Sequence, residues 1–311
     1  PDWDYVAFEP ARSFLYIGRR GDGVGVFDVK AGKLVKTIEN SQEANATVLV
    51  APFDRGYTVN EDGTSTMFQL STLKTLKRIP VGEAADAGVF EPVSGQVMIT
   101  ISDEKSVAFL DAKTGARTGT LKLQAGKFDG MAVDGKGNIF VAQRDLNSVA
   151  RIDAKTRKLT AEWKTTGCEQ PTGLAFDAAH HRIFVGCRGE NPVLAVLDSD
   201  TGKVVATSEI GRGNDGVIYD LDTRLVYTAN GVDANLVIYA QVDADTYRLS
   251  EATTTRPYAR TMAMDPQTKK IYTVTAEGTV DPARKVNRGP APFYPNRYHP
   301  DTFTVLTYSR P

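Results

Sequence analysis

An all-β protein, built as a seven-bladed β-propeller of four-stranded antiparallel blades, is predicted by three features of the sequence. Short β-rich runs recur at near-equal spacing, turn chemistry stands between them, and long helical periods are absent. The inner-strand runs VAFE, VLVA, GVFE, MAVD, LAFD, VIYD and MAMD end at Glu9, Ala51, Glu91, Asp134, Asp177, Asp220 and Asp265, taking each turn residue as the anchor. The spacings are 42, 40, 43, 43, 43 and 45 residues. Seven repeats of this length, each with room for about four strands, describe a propeller. They begin near residues 3, 44, 84, 127, 170, 213 and 258, and the chain reads as one domain from 1 to 311.

Residues 167–207 show one repeat complete. Leu174–Asp177 is strand A, Ile183–Val185 strand B, Leu194–Leu197 strand C and Val204–Thr207 strand D. Strand B recurs as FLYIG, GYTVN, VMIT, IFVAQ, IFVGC, LVYTAN and IYTVT. Strand C ends in Asp four times, at Asp28, Asp111, Asp153 and Asp198. A turn such as Lys113-Thr114-Gly115 follows, in which Asp bonds the backbone two residues on and Gly supplies a positive φ. These aspartates are read as structural.

Two irregularities fall in the last repeat. Its strands A (Thr261–Asp265), B (Ile271–Thr275) and C (Phe303–Tyr308) have no strand D after them before Pro311. The missing strand is expected ahead of Pro1 in a precursor, or absent, which leaves an open edge. The second irregularity is the segment 276–301, rich in Pro, Arg and Tyr, where other blades have a few residues.

Composition narrows the function classes. The 311 residues carry a net charge of −1, which favours neither nucleic acid nor an anionic membrane. No apolar run reaches the roughly 18–20 residues that span a bilayer. The chain starts at Pro1 rather than Met, which reads as processing or trimming. Cys168 and Cys187 bracket one predicted hairpin, and fall at the same end if Leu174 and Phe184 are neighbours across it. A disulfide is the reading preferred, and suits an oxidising compartment; two free thiols are the alternative.

The stretches YVAFEPARSFLYIG, LDAKTGARTGTL, CEQPTGLAFDAAHHRIFVGCR, LDSDTGKVVAT and ARTMAMDPQTKKIYTV resemble the YVTN-type, YncE-like β-propellers of bacterial cell envelopes, over residues 3–308. The resemblance implies a periplasmic or secreted protein of binding type. It implies no catalytic motif for named residues.

In a propeller the starts of strands A meet the ends of strands B at one rim. Five residues before the anchors stand Asp4, Ala46, Asp86, Asp129, Thr172, Asp215 and Arg260. Asp4, Asp86, Asp129 and Asp215 form either a site for a divalent cation such as Ca²⁺ or, the reading preferred, a hydrated and salt-bridged ring in which Arg260 neutralises its neighbours. The strand-B ends add Arg19, Arg20, Asn60, Arg144, Arg188 and Asn230, and nearby loops add Trp3, Phe128 and Tyr258. The long segment adds Arg284, Lys285, Arg288, Tyr294, Arg297, Tyr298 and His299. Arginine beside aromatic faces suits a protein partner, a small anionic ligand, or single-stranded nucleic acid, the last disfavoured by the net charge. His180 and His181 fall in a turn on the opposite face, so a histidine-rich metal centre is not expected. The leading expectation is therefore an exported binding or scaffold module without catalytic residues. A metal-assisted lactonase or lyase using the rim carboxylates is the enzymatic alternative.

Overall fold

In the computed structural model, which describes residues 2–281, 283 and 296–310, all the repeats fold as antiparallel sheets. The fold is a seven-bladed β-propeller: six blades have four strands in the order A-B-C-D, and the seventh has three. The strands A are Trp3–Glu9, Ala44–Val50, Ala85–Glu91, Phe128–Val133, Pro171–Asp177, Asn214–Asp220 and Met262–Met264. By contact the chain divides into two compact units, residues 2–163 with blades one to four and residues 164–311 with blades five to seven.

Strands B are continuous apolar runs because both of their faces are covered. Leu15–Ile17, Val97–Ile99 and Ile183–Val185 are completely or almost completely buried, as expected where a sheet lies between two others. In the first unit, strand A of blade one packs on that of blade two, then three, then four. In the second, strand A of blade five packs on that of blade six, and six on seven. Polar links cross between blades at the outer end. Tyr57 Oη donates to the Ala112 carbonyl (2.9 Å), Gln96 Nε2 to that of Ala154 (3.0 Å), and Gln241 Nε2 to Asp177 (2.8 Å). Strands D carry the exposed charges, as in Lys33–Thr37 and Arg117–Lys122, which blunts the sheet edges.

The strand-C aspartates are structural, as expected. Asp28 Oδ1 accepts from the amides of Lys30 and Ala31, and Asp111, Asp153 and Asp198 repeat the pattern with the amide and hydroxyl of a following Thr. His180 and His181 sit in the A–B turn of blade five, bonded to Asp177 (2.7 Å) and Asp200 (3.1 Å). Cys168 and Cys187 form the expected disulfide, with Cα atoms 5.4 Å apart. Blade seven ends with strand C, Thr304–Tyr308, at its outer edge among the described residues.

Two features were not foreseen. In blades one to six, the A–B ladder is interrupted near the start of strand A, between Trp3 and Val6 in blade one and between Asn214 and Gly216 in blade six. And the segment read as a loop starts and ends as a small hairpin, Gly278–Val280 with Asn296–Tyr298. Arg284, Lys285, Arg288 and Tyr294 lie outside the described residues.

The disulfide closes a loop of 19 residues. Chain-entropy arithmetic gives it about 3 kcal/mol, so its removal is expected to lower Tm by about 5 °C in a chain of this size, read by calorimetry. The turn aspartates set an acid limit. The Thr114 hydroxyl holds Asp111, and the Thr156 amide holds Asp153, below the ordinary carboxylate range. For Asp198 burial works against ionisation, but the Thr201 hydroxyl and amide outweigh it and the net shift is downward. A depressed folded pKa contributes stability above the unfolded value of about 4, and that stability is lost as pH falls through the folded value. Urea midpoints are expected to be level from pH 7 to about 5 and to drop below about pH 4. Replacing Asp111 and Asp153 by Asn should flatten that limb.

Candidate functional site

The interruptions of the A–B ladder are β-bulges, and they carry the rim residues. A bulge releases residues from the ladder and re-aims their side chains. Asp4, Asp86, Asp129, Thr172 and Asp215 all lie within such a break or at its edge. Each strand B then ends opposite the residue before them, as in Trp3 opposite Arg19, Phe128 opposite Gln143 and Pro171 opposite Cys187. The next residue out is Arg20 in blade one, Arg144 in blade four and Arg188 in blade five. Register thus makes Arg20 the counterpart of Arg144 and Arg188. Arg19 turns instead to Asp22 in its own B–C turn (2.7 Å).

In the first unit each of these arginines pairs with a carboxylate of its own blade, and Arg20 also reaches blade two, where Glu61 lies 3.2 Å from its Nε. Arg20 Nη2 donates to Asp4 Oδ2 at 2.7 Å, and its Nε donates to Asn45 Oδ1 of blade two at 2.8 Å. Arg144 Nη1 lies 3.8 Å from Asp129 Oδ2, whose other oxygen accepts the Tyr5 hydroxyl at 2.6 Å. The two arginine side chains remain about one-third exposed, at 33 % and 32 %. Asp86 is half-buried.

Blade five departs from this pattern at one residue of strand A. The own-blade position that holds Asp4 or Asp129 elsewhere is Thr172, whose hydroxyl is within bonding distance of the carbonyls of Gly186 (3.1 Å) and Asn214 (3.0 Å). No carboxylate stands there, and Arg188 pairs with blade six. Its guanidinium pairs with Asp215 Oδ1, and its Nε donates to the Asn214 carbonyl. Arg260, at the start of blade seven, pairs with Asp215 Oδ2. One carboxylate therefore holds two guanidinium groups from the blades on either side. All three residues are deeply buried: Arg188 is 4 % exposed, Arg260 5 % and Asp215 6 %.

Glycines make room for this cluster. Gly231 of blade six occupies the register position held by Arg20, Arg144 and Arg188 elsewhere. A β-carbon there would stand 2.7 Å from Cβ of Arg260 and 3.2 Å from Cα of Tyr258. A β-carbon at Gly186 would overlap the Asn214 side-chain amide, which donates to the carbonyls of Gly216 and Ala229 at 3.1 Å each.

The aromatic residues expected at the rim are packed inward. Trp3, Phe128 and Tyr258 are 2 %, 3 % and 8 % exposed, and Phe128 belongs to a core with Met98, Val107 and Phe109. Sequence shows that aromatic residues stand beside the strand ends, not which way their rings turn. Arg297 pairs with Thr279 and Tyr298 with Gly278 in the small hairpin, Arg297 exposed and Tyr298 half-buried. Among the described residues no three His, Cys, Asp or Glu side chains converge as a metal-holding group, and no helix is long and apolar enough to cross a membrane. Asp4, Asp129 and Asp215 each face a protein cation instead. The residues that sequence reading underweighted are Arg20, Asn45, Asn214 and Gly231. The signal for them was the register count from each strand-A anchor.

Comparison with known proteins bears on the fold. No curated protein is significantly similar in sequence. The chain is similar in structure to a chain of Kuenenia stuttgartiensis hydrazine synthase, with a TM-score of 0.75 at 13 % identity, covering 88 % of this chain and 92 % of that one. A chain of a mitotic checkpoint complex aligns with a TM-score of 0.75 at 13 % identity, over 87 % and 83 % of the two chains. The WD40 repeats of RRP9 align with a TM-score of 0.76 at 10 % identity, over 88 % and 86 %. At such identities the likeness is one of fold. A family model described as the SMP-30/gluconolactonase/LRE-like region matches residues 96–187, blades three to five in part.

Proposed function

We propose that the protein is an exported binding and scaffold module whose strand-start rim in residues 164–311 receives an anionic group, a carboxylate, carried by a protein partner or a small ligand. The observation that carries this reading is the Arg188–Asp215–Arg260 cluster. Burying two guanidinium groups costs several kcal/mol each, which hydrophobic packing of the same volume would not. Arginine is suited to bidentate carboxylate recognition because its fork is planar and permanently charged. Here the fork is also immobilised before any ligand arrives, which lowers the entropy lost on binding. The disulfide supports export, since such bonds persist in oxidising compartments.

A second reading is a metal-assisted lactonase or lyase using rim carboxylates, among them Asp129, which lies within the partial match to the gluconolactonase-like family model. Three of these carboxylates are engaged by arginine, so a cation would have to displace those contacts. Lactone hydrolysis that rises with added Ca²⁺ or Zn²⁺ and disappears in Asp129→Asn would establish it in place of the binding reading.

The binding reading is tested by citrate titration of the native protein, followed by calorimetry or NMR. Gly231→Ala pushes Arg260 aside without altering any charge, and is expected to weaken citrate binding about tenfold, or about 1.4 kcal/mol. Arg188→Lys keeps the charge and removes the fork, with a loss of similar size. Absence of millimolar citrate binding, or equal binding by both variants, overturns the reading. Asp215→Ala is expected to cost about 3–5 kcal/mol of stability, because it strands two buried cations. Urea denaturation measures that loss.

A further inference from the structure

We propose that the Cys168–Cys187 disulfide is the positioning device of the Arg188 guanidinium, so that the anion-binding rim is assembled only in the oxidised protein. The consequence for binding rests on the function proposed above; the positioning itself does not.

The argument starts from chain connectivity. Cys187 is the last residue of strand B in blade five, and Arg188 is the next residue. Cys168 lies in the connection 165–170 that precedes strand A of the same blade. That connection has no strand pairing. It is folded by a turn in which the Cys168 amide donates to the Thr165 carbonyl (2.9 Å) and the Thr165 hydroxyl donates to the Cys168 carbonyl (2.7 Å). Gln170 closes it with φ of 52°, as Glu43 and Ala84 do before strand A in blades two and three.

Arg188 is moored to this connection. Its amide donates to the Gln170 carbonyl at 3.1 Å, and the Gly189 amide donates to the Glu169 carbonyl at 3.0 Å. The disulfide therefore anchors the segment on which the backbone of Arg188 rests, one residue from the bond. From that backbone the side chain enters the buried pair with Asp215.

Blades one and four provide the comparison. Arg20 and Arg144 occupy the same register position and are moored alike, their amides donating to the carbonyls of Asp2 and Lys127 at 2.9 Å each. Cys168 and Cys187 are the two cysteines of the chain, so neither of those blades carries a crosslink. Their arginine side chains are 33 % and 32 % exposed, whereas that of Arg188 is 5 % exposed. Among these three register-matched arginines, the one beside the crosslink is the deepest. A covalent tie removes open conformations of the connection in which Arg188 would swing to water.

Both cysteines are fully buried, so a reductant reaches the bond only when the 165–170 connection lifts. A dithiol then attacks one sulfur as thiolate, forms a mixed disulfide, and leaves as its own cyclic disulfide, with Cys168 and Cys187 as two thiols. Lifting the connection and releasing Arg188 are one event. By linkage, an anion bound at Arg188 must slow the reduction that its absence permits.

The test reads hydrogen exchange at arginine Nε by ¹⁵N spectroscopy, comparing the native protein with the Cys168→Ser/Cys187→Ser variant. The Arg188 signal is assigned from Arg188→Lys. Arg182, whose Nε donates to Asp245 at 2.8 Å, is the internal reference in the same unit. The expected result is exchange at least tenfold faster at Arg188 with Arg182 unchanged. Equal rates in both proteins, or a parallel rise at both arginines, overturns the proposal and leaves the disulfide as a general stabiliser. Should the double variant not fold, the native protein reduced with dithiothreitol gives the same two-arginine comparison without substitution. Because the exchange readout needs no ligand, it can fail while citrate still binds, or succeed while citrate does not. Where citrate binds, saturating citrate is expected to slow the dithiol reduction, and an unchanged rate counts against the coupling.

Discussion

The β-bulge at the start of each strand A is the constraint on which the rim depends. An unbroken antiparallel ladder would alternate side chains between the two faces of the blade, and every residue of strand A would point into an inter-blade core. Breaking the ladder frees Asp4, Asp129, Thr172 and Asp215 from that alternation while the rest of each strand stays paired to strand B. Charged groups can then be placed beside a tightly packed interior without being buried within it unpartnered. In these blades the freed residue is met by a basic or hydrogen-bonding group.

From that repeated device, the second unit builds something different by small changes. Thr172 stands where other blades have a carboxylate, and Arg188 pairs with Asp215 of the next blade; Gly231 carries no side chain, which leaves space for Arg260. Blades five and six keep the four-strand order of the others. A stable repeated scaffold with local exceptions at one edge is how fold and site separate in such proteins. The exceptions, and not the repeats, mark where function is expected.

The surrounding structure makes the cluster rigid. Asn214 is held by Gly216, Ala229 and Asn230, and it supplies the carbonyl that receives Arg188 Nε. The tie at Cys168–Cys187 fixes the approach of the arginine backbone. Such support from residues that touch no ligand keeps a binding geometry within the tolerance that recognition requires.

Much was legible in the sequence because it is local. The period of about 43 residues, the apolar strand-B runs and the Asp-Gly turns each depend on neighbours within a few positions, so blade number and strand order follow from the residues alone. The Cys168–Cys187 pairing was legible for the same reason, since both cysteines flank one hairpin. Tertiary structure decided what a long or rotatable side chain does. Arg19 and Arg20 are adjacent in sequence, and only the register of the bulged ladder turns Arg20 to Asp4 and Arg19 to Asp22. Trp3 and Phe128 fall at the rim by position, yet their apolar area drives them inward. The residue sixteen positions before Arg188 is a threonine, and its partner is an aspartate in the next blade. No local pattern encodes that choice; it is made by charge and space between blades once they have packed.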